Sequence, residues 1–391
     1  MTSTRPRLYL HIGTPKTGTT YLQDVCWHNR ELLAEDGVRY PGTAADSQFR
    51  AVIDVMSGRF PDWHDRVVPG SWAAIVAESR EAVESGRSVF LSHELLAPAS
   101  PDEARRVLDD LSFAEIHIVC TARNLASQIP SVWQEDVKNG HRFGFREFAA
   151  ALAEDRPRSV WLADVFWDFQ DLPTVLRTWG GHLPPEQVHV LPVPARGAGD
   201  DVLWRRFADL LGLRPTGYRT DVRRGNRSLG MAEAELVRRI NVALADRVTR
   251  RDYQDVVKFR LAQRHLAERA GKAPIVLEAG QYTWARQRAQ EFVEAIEKAG
   301  YHVVGDLADL LPGDPPEGAA KAQRPPEPEE LLDVSLDALG TLVDQLVAEL
   351  EKPAPPQAPA GWKHRLVALS ERHEAMMRVR KGYSRLASRR R

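Results

Sequence analysis

The sequence predicts an α/β protein: three layers, with a mainly parallel central sheet flanked by helices, and a helical C-terminal extension. Two observations carry this reading. Short apolar runs of strand length recur along the first half of the chain, and amphipathic helical patterns separate them. Strands that alternate with helices return to the sheet in the same direction, so both faces of the sheet are covered.

Four runs read as buried strands: Leu8–Ile12, Ser88–Ser92, Glu115–Thr121 and Gln187–Val193. Each is apolar over most of its length, as a strand buried on both faces must be. Between them, residues 19–35 form a helical pattern with Leu22, Val25, Cys26, Leu32 and Leu33 on an inner face, and Gly37 supplies a stop. Pro101–Leu111 is a second helix, with Pro101 at its start and acidic residues in its first turn. Residues 202–213 form a third, and 231–299 are mostly helical, with breaks near Gly271–Pro274 and Gly280. Composition then changes. Residues 312–330 are rich in Pro and Glu and read as a linker between an α/β domain over 1–311 and an extension over 331–391. Within the extension, Leu331–Leu350 carries apolar residues at helical spacing, and 353–359 is a second Pro/Ala stretch.

A chain of 391 residues is long enough for one large core with appendages. Its 43% hydrophobic and 27% charged residues give an ordinary globular balance. The formal net charge of -1 gives no footing for wholesale nucleic-acid binding. That near-neutrality hides an asymmetry, because the last thirty residues hold ten Lys or Arg against two Glu. A solvated basic tail is the plain expectation there; docking on an anionic membrane surface or an acidic partner is the sharper one. Cys26 and Cys120 are too few for a disulfide framework and read as buried thiols in a reducing compartment. No apolar run approaches membrane-span length, and Met1 to Arg7 leads into a segment too short for a signal-peptide core. The expected location is the cytoplasm.

The strongest motif is His11-Ile12-Gly13-Thr14-Pro15-Lys16-Thr17-Gly18-Thr19-Thr20, which follows a strand and opens a helix. Glycines let backbone approach a phosphate, and the first helical N–H groups have no carbonyl partner and point at the loop. Lys16 adds a full charge, and Thr17, Thr19 and Thr20 add hydroxyl donors. The pattern is not a Walker A loop, which places its lysine directly after the second glycine with Ser or Thr next for magnesium. Here Thr19 follows Gly18, and the lysine lies two positions earlier. A second anion motif is Arg123, at the end of the strand Glu115–Thr121, with Ser131 eight positions later. Arginine offers a planar fork of donors to a phosphate, and serine a hydroxyl. Pro130 beside Ser131 is expected to kink or shorten that helix.

Pro15-Lys16-Thr17-Gly18-Thr19-Thr20 after a strand, with Arg123 and Ser131, resembles the sulfotransferases that use 3′-phosphoadenosine 5′-phosphosulfate, including bacterial members. The resemblance covers roughly residues 7–230 and implies the P-loop-NTPase-like sulfotransferase fold. It implies that Gly13, Pro15, Lys16, Thr17, Gly18, Thr19 and Thr20 cradle the 5′-phosphosulfate, with Lys16 on the bridging oxygen. It implies that Arg123 and Ser131 bind the 3′-phosphate, and, by a loose match, that Arg223 and Arg224 contribute a third patch. The implied reaction is a direct in-line transfer of a sulfuryl group to a hydroxyl or amine of a small-molecule or carbohydrate acceptor, without a metal. No His/Cys spacing in the chain suggests a metal site.

Such a transfer needs a group to take the acceptor's proton. Ser92-His93-Glu94 directly follows a strand, where ligands of open parallel sheets sit. Glu94 is the first candidate base and His93 the second; His11 lies inside a strand end and reads as structural. Trp133, Gln134, Asn139-Gly140-His141, Trp161, Phe166, Trp167 and Trp179 are candidates for an acceptor pocket, although aromatics at such spacing are more often core. Two rival functions stay open at this stage: a P-loop-type nucleotide kinase or NTPase, and a non-catalytic nucleotide-binding scaffold.

Overall fold

The computed structural model describes residues 6–60, 68–154, 161–195, 197–199, 201–222, 228–245, 247–315 and 325–351. Six strands form its sheet: β1 (Arg7–His11), β2 (Val38–Arg39), β3 (Ser88–Ser92), β4 (Glu115–Ala122), β5 (Val188–Pro192) and β6 (His302–Val303). The order across the sheet is β2-β3-β1-β4-β5-β6, and every pairing is parallel. The four expected strands are therefore present within a residue at each end. The two-residue edge strands β2 and β6 were not visible in the sequence, because two residues carry no period. β1 sits between β3 and β4, with Leu10 level with Leu91 on one side and Ile118 on the other.

The helices, in chain order, are α1 (Thr19–His28), α2 (Arg30–Glu35), α3 (Ser47–Val55), α4 (Ser71–Glu84), α5 (Pro101–Asp110), α6 (Leu125–Lys138) and α7 (Phe145–Leu152). Then come α8 (Trp161–Gln170), α9 (Leu172–Gly180), α10 (Val202–Leu211), α11 (Met231–Leu244), α12 (Arg250–Asp252), α13 (Ala279–Ala299) and α14 (Pro328–Leu350). A π-helical stretch, Tyr253–His265, continues α12. The single helix expected over 19–35 is split at Asn29. Its amide donates to the Val25 carbonyl and to that of Arg219, and its Oδ1 accepts the Arg219 N–H. That tie to a distant segment is invisible in local sequence. α5 starts as its sequence dictates: Ser100 and Glu103 form a reciprocal capping box, with Pro101 at the first helical position.

Strand alternation divides the core between the two faces of the sheet. Leu8, Leu10, Ile12, Val89, Leu91, Ile118 and Cys120 join one cluster with α5, α6 and α9. Tyr9, Phe90, Val119 and Leu191 join the other with Leu22, Val25 and Cys26 of α1 and Trp204 and Phe207 of α10. Each fully buried side chain of this size contributes about 1.5–3 kcal/mol, so a truncation such as Leu10→Ala is expected to cost about 2–5 kcal/mol. Both cysteines are free and buried, and burial pushes the Cys120 thiol up to about 12.

The chain divides into two compact units, Met1–Ala338 and Leu339–Arg391. The first unit runs past the boundary expected near 311, because Leu331, Val334 and Ala338 of α14 are buried and Asp333 pairs with Arg269. In the second unit the described part is the end of α14, with Leu339, Val343, Leu346, Val347 and Leu350 exposed. The basic tail lies outside the described residues. No helix among those described is long and apolar enough to cross a membrane.

Candidate functional site

The loops after β1, β3 and β4 leave the same edge of the sheet, and around them lies a cavity of about 740 Å³. That is within the range of about 300–1,000 Å³ usual for ligand sites. Pro15, Lys16, Gly18, Thr19 and Thr20 from the first loop line it, with Glu94 from the second and Arg123 and Ser131 from the third.

The first loop is held from behind. Thr14 N–H donates to the Thr121 carbonyl at 2.8 Å, and the Thr17 hydroxyl bonds the Thr14 carbonyl and lies 2.6 Å from the Thr121 hydroxyl. The Pro15 carbonyl accepts from Gln128 and, at 3.1 Å, from Gln170. Gly13 and Thr17 thus belong to the buried scaffold of the loop, with Thr17 fully buried. Lys16 takes a left-handed φ of 65°, a conformation costly for a side chain with a Cβ and common at functional turns. Gly18 has φ 86°, a conformation strained for a residue with a Cβ, and a Cβ there would also press on the end of the Leu203 side chain. The first helical bond of α1 runs from Leu22 N–H to the Gly18 carbonyl. The amides of Thr19 and Thr20 therefore precede the helical ladder.

Arg123 Nη1 donates to Ser131 Oγ at 3.3 Å, so the two residues expected to form one anion site do meet. Ser131 Oγ in turn donates to the Ser127 carbonyl at 2.8 Å. Pro130 does not shorten the helix: α6 continues past it to Lys138.

Glu94 lies on the cavity wall and accepts from Gln23 Nε2 at 3.1 Å. Burial pushes its carboxyl up, but the His93 ring and the hydrogen bonds outweigh burial and hold it below the usual range. His93 is turned elsewhere. Its Nδ1 accepts the Leu95 N–H at 3.2 Å, its ring packs on Phe49, and it borders a separate small cavity with Leu10 and Gln48. Burial lowers its pKa, against a smaller upward pull from Glu94. His11 is structural, as expected: it is buried between Ser92 Oγ at 2.8 Å and Thr121 Oγ1 at 3.0 Å, and burial lowers it to about 4. Arg223 and Arg224 lie outside the described residues, although Val222 and Ser228, on either side of them, line the cavity.

Of the aromatics, Trp133, Phe166, Trp167 and Trp179 are buried and Trp161 is half exposed. Phe166 also faces the cavity, as do Gln134 and Asn139.

Sequence reading missed the last turns of α6. Glu135 Oε2 lies 2.8 Å from both Lys16 Nζ and Lys138 Nζ, and its Oε1 lies 2.9 Å from Lys258 Nζ. Burial raises the Glu135 carboxyl, but the three ammonium groups outweigh it and hold it far below the carboxylate range. Asp136, the next residue, also lines the cavity. Burial and the Glu135 charge push its carboxyl up to about 7, against a smaller pull from Lys16. A signal was present in Glu135-Asp136-Val137-Lys138, but nothing local ties it to Lys16 or Lys258.

Among the described residues, no group of three or more His, Cys, Asp or Glu is placed to hold a metal ion. Comparison with protein-family models, curated proteins and solved structures returns no match for this chain.

Proposed function

We propose that the protein is a sulfotransferase that takes its sulfuryl group from 3′-phosphoadenosine 5′-phosphosulfate. The observation that carries this reading is convergence. Lys16 with the loop around it, and Arg123 with Ser131, come from segments more than a hundred residues apart and open onto one cavity. Two separate anion sites on one cavity suit a nucleotide phosphorylated at both ends. Thr19, Thr20 and the start of α1 would hold the 5′-phosphosulfate, and Arg123 and Ser131 the 3′-phosphate.

The donor, when bound, supplies an activated sulfuryl group: the acceptor oxygen bonds to sulfur as the bond from sulfur to the bridging phosphate oxygen breaks, and 3′-phosphoadenosine 5′-phosphate leaves. The chain's own part is electrostatic and positional. Lys16 rests on Glu135 at 2.8 Å and lines the cavity with the loop. Aimed at the bridging oxygen, it would stabilise the charge that develops there. Lys138 and Lys258 remain to neutralise Glu135 when Lys16 moves. The loop's rear hydrogen bonds fix its backbone donors in advance, so no reorganisation is needed at the moment of reaction.

Calorimetry without magnesium tests this. The expected result is binding of 3′-phosphoadenosine 5′-phosphate by the full chain, weakened about tenfold or more in Arg123→Ala. Lys16→Ala is expected to lower turnover more than affinity. Magnesium-dependent ATP binding with no binding of the bisphosphate would overturn the proposal in favour of a kinase or NTPase. Silence toward both nucleotides would overturn it in favour of a scaffold.

A further inference from the structure

Asp136 is chemically out of place as a structural residue. It sits one residue beyond a carboxylate that three lysines neutralise, yet among the described residues none of them forms an ion pair with it: Lys16, Lys138 and Lys258 all close on Glu135. Its side chain forms no hydrogen bond among the described residues, although its main-chain carbonyl accepts from Asn139 and His141 at 3.0 Å each. It lies in the last turn of α6, where the negative end of the helix dipole disfavours a carboxylate. It lines the cavity beside Lys16, the residue that marks the reacting end of the donor site.

We infer that Asp136 is the proton acceptor for the group attacked onto sulfur, the role for which the sequence offered Glu94 and His93. The inference rests on the donor reading above. The acceptor's O–H proton passes to an Asp136 carboxylate oxygen as the acceptor oxygen bonds to sulfur, and the departing bisphosphate takes the electron pair of the broken bond.

Basicity separates the three candidates. His93 uses Nδ1 as a cap and borders another cavity. Glu94 is held below the usual range and accepts from Gln23, so it is a poor base. Asp136, at about 7, takes a proton readily while still being substantially ionised near neutral pH. The charged groups around it are Glu135 and Lys138 on α6, Lys16 from the loop and Lys258 from Tyr253–His265. Asp24, Glu94 and Arg123 line the same cavity. On the other helices packed on α6, Arg146 of α7 pairs with Glu278, Arg238 of α11 with Glu235, and Arg288 of α13 with Glu291.

The arrangement also couples base to donor. Lys16 is the group that restrains Asp136 from rising further. Once Lys16 engages an anionic nucleotide, that restraint weakens and the nucleotide adds negative charge nearby. Asp136 therefore becomes more basic when the donor is in place.

Two readouts on the full chain test this. In the first, aspartate side chains carry a carbon-13 carboxyl label. One resonance is expected to titrate with a midpoint near 7, to vanish in Asp136→Asn, and to shift to higher pH on adding 3′-phosphoadenosine 5′-phosphate. In the second, water serves as the acceptor, and release of labelled sulfate from the donor is followed against pH. For the wild type, kcat/KM at limiting donor should rise through about pH 7. Asp136→Asn should lower it about 10²–10⁴-fold and flatten the profile, and Asp136→Glu should restore a pH-dependent limb. Glu94→Gln should keep a pH-dependent limb. Binding of the bisphosphate by Asp136→Asn within about threefold of wild type certifies a folded site. An Asp136 resonance that titrates in the ordinary carboxylate range overturns the inference, as does an unchanged rate profile in Asp136→Asn with normal bisphosphate binding. Failure of the wild-type chain to bind the bisphosphate is a different result: it overturns the donor reading, and the inference falls with it.

Discussion

Two clusters of titratable side chains lie on this sheet, and they are built on opposite terms. Near the N-terminal ends of the strands, His117, His189 and His302 form a ladder across β4, β5 and β6. His117 Nδ1 lies 2.8 Å from His189 Nε2, and His189 Nδ1 lies 2.8 Å from His302 Nδ1. His117 Nε2 is closed off by Glu115 at 2.9 Å. Each ring satisfies the next, and burial, followed by the neighbouring rings, holds His189 down to about 3. At the C-terminal ends, the Lys16–Glu135–Lys138–Lys258 cluster is satisfied too, but Asp136 beside it is left over. Polar groups that complete one another build a fold. A polar group left facing a cavity is available for chemistry.

The sharpest way to break this comparison is to remove the centre of the lysine cluster. Glu135→Ala leaves three ammonium groups facing one another and is expected to cost about 2–4 kcal/mol in denaturant unfolding at neutral pH, short of the value for a fully buried pair because Glu135 retains some exposure. The Glu135 carboxyl is depressed in the fold, so its stabilisation is present above the unfolded carboxylate range and lost as pH falls. Asp136→Ala in the same experiment should show no such loss.

The ladder gives the next largest effect. His189 binds its proton less readily folded than unfolded, so the unfolded chain gains protons first as pH falls from about 6.5 toward 3, and stability drops over that window. His189→Gln should cost about 1–2 kcal/mol at pH 8 through lost ring contacts, and should flatten this acid limb. An unaltered limb would mean that burial does not depress His189.

Asp136 should tilt the other way. Its folded pKa is raised, so the folded chain holds a proton that the unfolded chain releases between about pH 4 and 7, and stability falls as pH rises through that window. Asp136→Asn should therefore raise the thermal midpoint at pH 8 and leave it unchanged at pH 4. A lower midpoint at pH 8 would show that the carboxylate is structurally paired. The smallest effect belongs to Ser131→Ala. Losing one hydroxyl at 3.3 Å from Arg123 should weaken bisphosphate binding only a few-fold in calorimetry, about 0.5–1.5 kcal/mol.

The legible part of the site was the loop after β1 and the Arg123–Ser131 pair. Gly13 to Thr20 announces itself because one short segment between a strand and a helix start holds glycines, lysine and threonines together, and Arg123 with Ser131 because they lie eight positions apart across one strand-to-helix junction. The proton-handling end was not legible in that way. His93-Glu94 follows a strand as Arg123 does, yet the chain turns His93 away to cap Leu95. Asp136 looks like one of two adjacent acids near the end of an amphipathic helix until Lys16 and Lys258 close on Glu135 beside it.

The same division runs through the whole molecule. Local order fixed the alternating strands and helices, the parallel sheet, the capping box at Ser100 and the phosphate-type loop, since each depends on residues a few positions apart. Tertiary structure alone decided the edge strands β2 and β6, the break at Asn29, and the place of Leu331, Val334 and Ala338 in the first unit. It alone decided which lysine meets Glu135 and what surrounds Asp136. Those outcomes depend on burial and charge contributed by segments distant in sequence, and desolvation and Coulomb energy are properties of position in space.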